Sequence, residues 1–257
     1  QRQMCIRDRC MDNPKLRRLA QETETRVISY GIDDEQADYV AKDIVYHTGG
    51  TDYKVYKNGS LFAEVQLIVP GRHNVLNSLG ALVCAVEMGI KTDSILKALK
   101  EFTGAHRRFE TKGRVNGVWV VDDYAHHPTE IGVTLKAALQ TKPQRLICVF
   151  QPHRYTRTQL LFNEFCACFK GCDKLIVTDI YAASEDPIEG VNSQKLAEGI
   201  KKTSGVDVEY VPSMADIENY LAANARTGDL VITIGAGDVY KVGEALVADL
   251  QRSNENV

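Results

Sequence analysis

Apolar and polar positions along this chain follow two rhythms, with a change near residue 103. In the first stretch RVISYG (26–31) reads as a strand. TDYKVYKNGSLFAEVQLIV (51–69) alternates on both sides of Asn58-Gly59, a dipeptide that tolerates the positive φ of a tight hairpin. This part is expected to be antiparallel. After Pro70-Gly71 the period lengthens to that of a helix, with Leu76, Leu79, Val83 and Val86 on one stripe. Thr92 or Asp93 opens a second helix through SILKALKEF, and both helices are expected to pack on the sheet. The first ten residues, QRQMCIRDRC, show neither period and stand apart as a candidate translation or cloning artefact.

Beyond Gly104 the pattern becomes strand, helix, strand. The strands are VNGVWVV, RLICVF, DKLIVTDI, VDVEYV and LVITIG. The helices between and after them are TEIGVTLKAAL, TQLLFNEFCACFKG, SQKLAEGIKK, MADIENYLAANA and VYKVGEALVADLQ. Five apolar strands separated by amphipathic helices imply an α/β fold with a doubly wound, mostly parallel, Rossmann-like sheet. The domain boundary is placed at Phe102 to Gly104, giving domains 1–102 and 103–257. Sheets of this kind bind ligands outside the carboxyl ends of their strands. VDDYAHHP, QPHRYTR and IGAGD each occupy such an end.

The bulk numbers narrow the function classes. At 257 residues and 44% hydrophobic, the chain can bury two cores of ordinary size. Its 31 basic and 34 acidic residues give a net charge of −3, which argues against nucleic acid or an anionic membrane as partner. No stretch approaches the roughly 18 apolar residues of a bilayer span, and no signal-type apolar core opens the chain, so a cytoplasmic protein is expected. Of seven cysteines, Cys84, Cys148, Cys166 and Cys168 sit in apolar runs and read as small buried hydrophobes. Cys166, Cys168 and Cys172 do not match zinc spacing, and no metal is assigned to cysteine.

Three further groups carry candidate chemistry. In VDDYAHHPTE, Asp123, Tyr124 and His126 follow an apolar strand, with Pro128 placed to open a helix. In QPHRYTR, Arg154 and Arg157 supply planar guanidinium groups suited to a carboxylate. GRHNVLN offers the amides of Asn74 and Asn77, whose donors and acceptors suit a purine edge, although Asn near a helix start is often a cap. GAHRRFE places Arg107 and Arg108 where a cation could offset phosphate charge.

Taken in order, GRHNVLNSLGA, FTGAHRRFE, VVDDYAHHPTEI, VFQPHRYTRT, DIYAASEDPIEGV and GAGD resemble the bacterial Mur ligases, and within them the branch that adds L-alanine. The resemblance runs from about Cys10 to the C-terminus. It implies an ATP-dependent, Mg²⁺-assisted amide ligase of peptidoglycan synthesis, cytoplasmic, acting on UDP-N-acetylmuramate, L-alanine and ATP through an acyl phosphate. By resemblance Asn74 and Asn77 lie at the adenine, Asp123 near the ribose and Arg108 at the ATP phosphates. His126 and Arg108 take catalytic parts, while Tyr124, His126, Arg154, Arg157 and His153 face the amino acid and acyl centre, with His127 behind them. The family's glycine-rich phosphate loop has no counterpart here, because no G-x-x-x-x-G-K-[ST] pattern occurs. The chain accordingly reads as the end of a central ATPase domain followed by a C-terminal domain, with no metal ligand of its own and little expected activity alone. Two other readings stay open: a relative that joins a peptide to the sugar acid, against which HRYTR argues, and a non-catalytic nucleotide-binding module.

Overall fold

Asn58 and Gly59 hold φ angles of 47° and 80°, and the chain reverses there between strands β4 (Gly50–Lys57) and β5 (Ser60–Leu67). Both central residues being left-handed matches the right-handed twist of the flanking strands. The computed structural model describes residues 6–48 and 50–255 and divides into two units, Gln1–Thr103 and Gly104–Val257.

In the first unit the sheet order is β1-β2-β3-β4-β5, with β1 Ile6–Cys10, β2 Arg26–Gly31 and β3 Tyr39–His47. The β3-β4-β5 pairs are antiparallel, as the alternation requires, but β1-β2 and β2-β3 are parallel, so the sheet is mixed. Residues 6–10, aperiodic in sequence, form an edge strand against β2, and residues 1–5 lie outside the described residues. Helix α1 (Pro14–Glu22), capped by Asn13, and strand β3 were not evident from periodicity. Helices α2 (Arg72–Glu87) and α3 (Thr92–Glu101) cover one face, where Val75, Leu79, Leu82, Val83 and Ile95 meet Tyr39, Tyr53, Val55 and Val65. The buried stripe of α2 is thus rotated by about one residue from the expected one, and Leu76 is only half-buried.

The second unit is a six-stranded sheet of order β10-β9-β8-β11-β7-β6. Its strands are β6 Glu110–Val115, β7 Val118–Asp123, β8 Arg145–Phe150, β9 Lys174–Val177, β10 Asp207–Tyr210 and β11 Asp229–Ile234. All pairs are parallel except β6-β7. VNGVWVV is therefore two strands: Asn116 and Gly117, at φ 54° and 75°, make a second hairpin turn inside it. Alternation along each central strand feeds two cores. Trp119, Val121, Cys148 and Phe150 face α4 (Pro128–Gln140), α6 (Phe162–Cys168) and α7 (Ser193–Ser204). Val118, Val120, Ile147 and Val149 face α8 (Met214–Asn224) and α9 (Tyr240–Glu255). Helices on both faces complete the doubly wound α/β arrangement.

The run 158–171, expected as one helix, breaks at Leu161 into α5 (Tyr155–Leu160) and α6. The break lets α6 press onto α7 at Gly199, where a Cβ would stand 2.6 Å from Cys166 Sγ and 2.9 Å from Phe162 Cζ. Cys148, Cys166 and Cys172 are buried, whereas Cys84 and Cys168 are only partly so. Burial pushes the Cys168 thiol up to about 12, which suits packing rather than reactivity.

Candidate active site

After β8 the chain runs outward to β9 and β10, then returns to place β11 between β8 and β7. The carboxyl ends of β7, β8 and β11 therefore lie side by side, and the polar turns that follow them meet there.

Arg107 holds this end of the sheet together. Its Nε donates to Asp122 Oδ2 at 2.8 Å, Nη1 to Gly237 O at 3.0 Å and Nη2 to Gly235 O at 2.7 Å. The guanidinium carbon lies 5.0 Å from the ring of Tyr124 and 4.6 Å from that of Tyr240. Asp122 is fully buried and also accepts from Thr233 Oγ1 at 2.7 Å. The two arginines of GAHRRFE thus part ways: Arg107 is internal, and Arg108 is exposed, its guanidinium 5.8 Å from the Tyr124 ring.

Asp123, 5% exposed, is tied to the backbone: Phe109 N donates to Oδ2 at 2.8 Å and Ala125 N to Oδ1 at 2.7 Å. Burial raises its carboxyl above the usual range, an effect the Ala125 and Phe109 amides and the charge of Arg108 oppose. His127 caps α4, its Nδ1 accepting from Thr129 N at 3.3 Å, while Glu130 Oε2 receives the amides of His126 at 3.1 Å and His127 at 3.3 Å. His127 is consequently a helix cap, with Pro128 in the first turn behind it. Burial works to raise Glu130, but the His126 amide and charge outweigh it and hold the carboxyl below its ordinary value.

Two histidines are fixed in different tautomers. His126 Nδ1 lies 2.9 Å from Tyr124 O; a carbonyl only accepts, so Nδ1 carries a proton and the lone pair of the neutral ring is on Nε2. His153 Nδ1 lies 3.0 Å from Arg157 Nη1; a guanidinium only donates, so here Nδ1 accepts and the proton sits on Nε2. Burial first, then the charges of Arg157, His126 and Arg154, lower the His153 pKa below its ordinary value. The rings form a row, with Tyr124 and His126 at 5.5 Å, His126 and His153 at 5.8 Å, and His153 stacked on Tyr181 at 5.7 Å.

Of the expected residues, the second unit brings Arg108, Tyr124, His126, His153, Arg154 and Arg157 to one end of its sheet, Arg154 exposed and Arg157 half-buried. Asn74 and Asn77 belong to the first unit, on α2. Asn74 Nδ2 is engaged with Pro70 O at 2.8 Å, and Asn77 is exposed. Tyr181 and Gln151 went unnoticed in the sequence. Gln151 joins the β11 turn by donating to Asp238 Oδ1 at 3.0 Å and accepting from Val239 N at 3.2 Å. A Cβ at Gly237 would run into Gln151 Oε1 first and would also stand 2.7 Å from the Tyr181 ring, so this turn has no room for a side chain there. A glycine in a turn outside a strand end was the only available signal.

A family model described as Mur ligase, glutamate ligase domain matches residues 107–237, and one described as Mur ligase middle domain matches residues 9–85. The chain is 44% identical over 247 residues to a UDP-N-acetylmuramate--L-alanine ligase of Syntrophus aciditrophicus, covering 96% of this chain and 51% of that protein. It is 43% identical over 246 residues to the protein of that name from Pelotomaculum thermopropionicum, covering 96% and 53%. Among solved structures, the UDP-N-acetylmuramate-alanine ligase of Thermotoga maritima aligns with a TM-score of 0.74 at 27% identity, covering 88% of this chain and 48% of that one. A murein peptide ligase of Psychrobacter arcticus aligns with a TM-score of 0.60 at 23% identity, covering 95% and 51%, a likeness of fold. The chain spans about half the length of the curated relatives it matches.

Proposed function

The chain belongs to the Mur ligase family, and we propose that it forms part of a cytoplasmic, ATP-dependent ligase that joins L-alanine to UDP-N-acetylmuramate in peptidoglycan precursor synthesis. The observation that carries this reading is the opposed tautomers of His126 and His153 in one row with Arg157. A ligase of this kind needs a cation for the amino acid's carboxylate and, nearby, a base for its ammonium proton.

In the proposed reaction a lactyl carboxylate oxygen attacks the γ-phosphorus of ATP, and ADP leaves. The alanine ammonium gives one proton to a base, the freed amine attacks the acyl carbon, inorganic phosphate leaves with the carbon–oxygen electron pair, and the second proton goes to the departing phosphate. Arg157 and Arg154 receive the alanine carboxylate, the first oriented by His153. His126 Nε2 accepts the ammonium proton while its Nδ1–H goes on donating to Tyr124 O. Arg108, exposed beside Tyr124, stabilises the charge that develops on the transferring phosphoryl group. Asn74 and Asn77 take the adenine, with Asn77 the freer of the two to do so. Asp123 keeps the turn in place through the Phe109 and Ala125 amides and is also bonded by the Thr134 side chain, and its remaining capacity is directed to a ribose hydroxyl. Among the described residues no group of three or more His, Cys, Asp or Glu side chains is placed to hold a metal ion. No helix among the described residues is long and apolar enough to cross a membrane.

The test is Arg157→Lys in the complete ligase. An ammonium cannot reproduce a two-pronged carboxylate contact, so kcat/KM for L-alanine should fall by about tenfold or more while KM for ATP holds. A loss confined to ATP would move Arg157 to the phosphate side.

A further inference from the structure

Glu185 has no part in the site described so far, yet its carboxylate meets the turn that carries Arg154 and Arg157. Thr156 N donates to Glu185 Oε2 at 3.0 Å and Thr156 Oγ1 to Oε1 at 2.6 Å, with the Tyr155 amide also directed at it. Within that turn Thr158 Oγ1 donates to Arg154 O at 2.8 Å and Arg157 Nη1 to His153 Nδ1 at 3.0 Å, but Arg154 sits at φ 71° and its side chain makes no cap bond to α5. Residues with a Cβ occupy the left-handed region only when something compensates.

The compensation comes from the loop between β9 and α7. Tyr181 N donates to Pro152 O at 2.8 Å and Arg154 N to Tyr181 O at 2.9 Å, so the loop and the turn are stitched together by backbone. Ala183 and Ser184 then take φ angles of 48° and 70°, two consecutive left-handed residues that swing the chain to Glu185. The bonds from Thr156 hold the Glu185 carboxyl below its ordinary value, and the Arg154 charge adds to this. The carboxylate therefore stays ionised beside the arginines.

We propose that Glu185 is a positioning residue: by binding Thr156 it fixes the angle at which Arg154 and Arg157 are presented to the amino acid's carboxylate. This rests on the assignment of those arginines to the amino acid. An acidic side chain next to a carboxylate-binding pair would oppose binding if it faced the ligand directly. Engaged with Thr156, its two oxygens are taken up by that residue's amide and hydroxyl instead.

The experiment uses the ¹⁵N-labelled 257-residue chain, with amide hydrogen exchange at Tyr155 and Thr156 and a chemical-shift titration with L-alanine as two separate readouts. In Glu185→Ala, exchange at Thr156 should quicken by about tenfold, the effect of one charge-assisted hydrogen bond, and L-alanine binding should weaken by a similar factor. Glu185→Gln keeps an acceptor oxygen and should restore most of both. Unchanged exchange in Glu185→Ala, with the fold intact by Trp119 fluorescence, overturns the tie. Faster exchange with undiminished alanine binding, or failure of Glu185→Gln to restore it, overturns the positioning role. Absence of any L-alanine response in the unaltered chain overturns the amino-acid assignment and the positioning role with it, while the exchange result still decides the tie.

Discussion

Replacing Arg107 with methionine removes a cation from the best-connected point of the second unit while keeping most of its volume. Asp122, fully buried, would lose its charged partner at 2.8 Å and keep only Thr233 Oγ1, and two buried glycine carbonyls would lose their donors. Breaking a buried pair by removing one partner costs about 3–5 kcal/mol, because the remaining charge is left in a low-dielectric site. The lost carbonyl bonds overlap with that figure rather than adding to it. Set against a domain stability of about 5–15 kcal/mol, the loss is large. The assay is urea unfolding followed by fluorescence. The single tryptophan, Trp119, lies in β7 and is 8% exposed, so it reports on the second unit alone. With a slope of about 2 kcal/mol/M the midpoint should fall by about 1.5–2.5 M. Arg108→Met, at an exposed position, should move it by less than about 0.5 kcal/mol equivalent. Adding Asp122→Leu to Arg107→Met should recover much of the loss, since an apolar pair can replace a buried ion pair at little cost. An Arg107→Met midpoint within error of the unaltered chain would refute the reasoning.

Two further predictions concern titration and nucleotide. His153 should titrate below 6.5 by NMR, because burial and then the Arg157 charge disfavour its protonated form. The unfolded state then binds the proton first as pH falls, so stability linked to His153 is full above 6.5 and declines below it toward the folded value; a midpoint at or above 6.5 would contradict the Nδ1-acceptor arrangement. In the complete ligase, Asn77→Ala should raise KM for ATP by about tenfold, within the roughly 1–3 kcal/mol expected for a lost polar contact, and leave KM for alanine in place. An unchanged KM for ATP would remove Asn77 from the adenine.

Much of the architecture was legible because burial on both faces writes long apolar runs, as in RLICVF and LVITIG, and because Asn58-Gly59 specifies its own turn. The second Asn-Gly, at 116–117, was hidden: flanking valines made VNGVWVV look continuous, and β6 has the weakly apolar pattern of an edge strand. Strand β1 escaped for a related reason, since an edge strand of IRDRC takes its place from backbone pairing with β2 rather than from side-chain alternation. In the site, residue types at strand ends could be read, but their division of labour could not. GAHRRFE does not say which arginine is internal; that depends on Asp122 and on carbonyls 128 and 130 residues away. Glu185 and Tyr181 likewise act through contacts with the β8 turn that only the fold creates.

The most direct test of the central claim joins the half of the Syntrophus aciditrophicus relative that this chain does not span to the chain itself. The fusion is supplied with ATP, Mg²⁺, UDP-N-acetylmuramate and either L-alanine or a tripeptide, and products are identified by mass. The account predicts UDP-N-acetylmuramoyl-L-alanine with ADP and phosphate in equal amounts, sharply reduced by Arg157→Lys, and no tripeptide adduct. A folded, ATP-binding fusion that makes no alanine adduct, or that prefers the tripeptide, would contradict it.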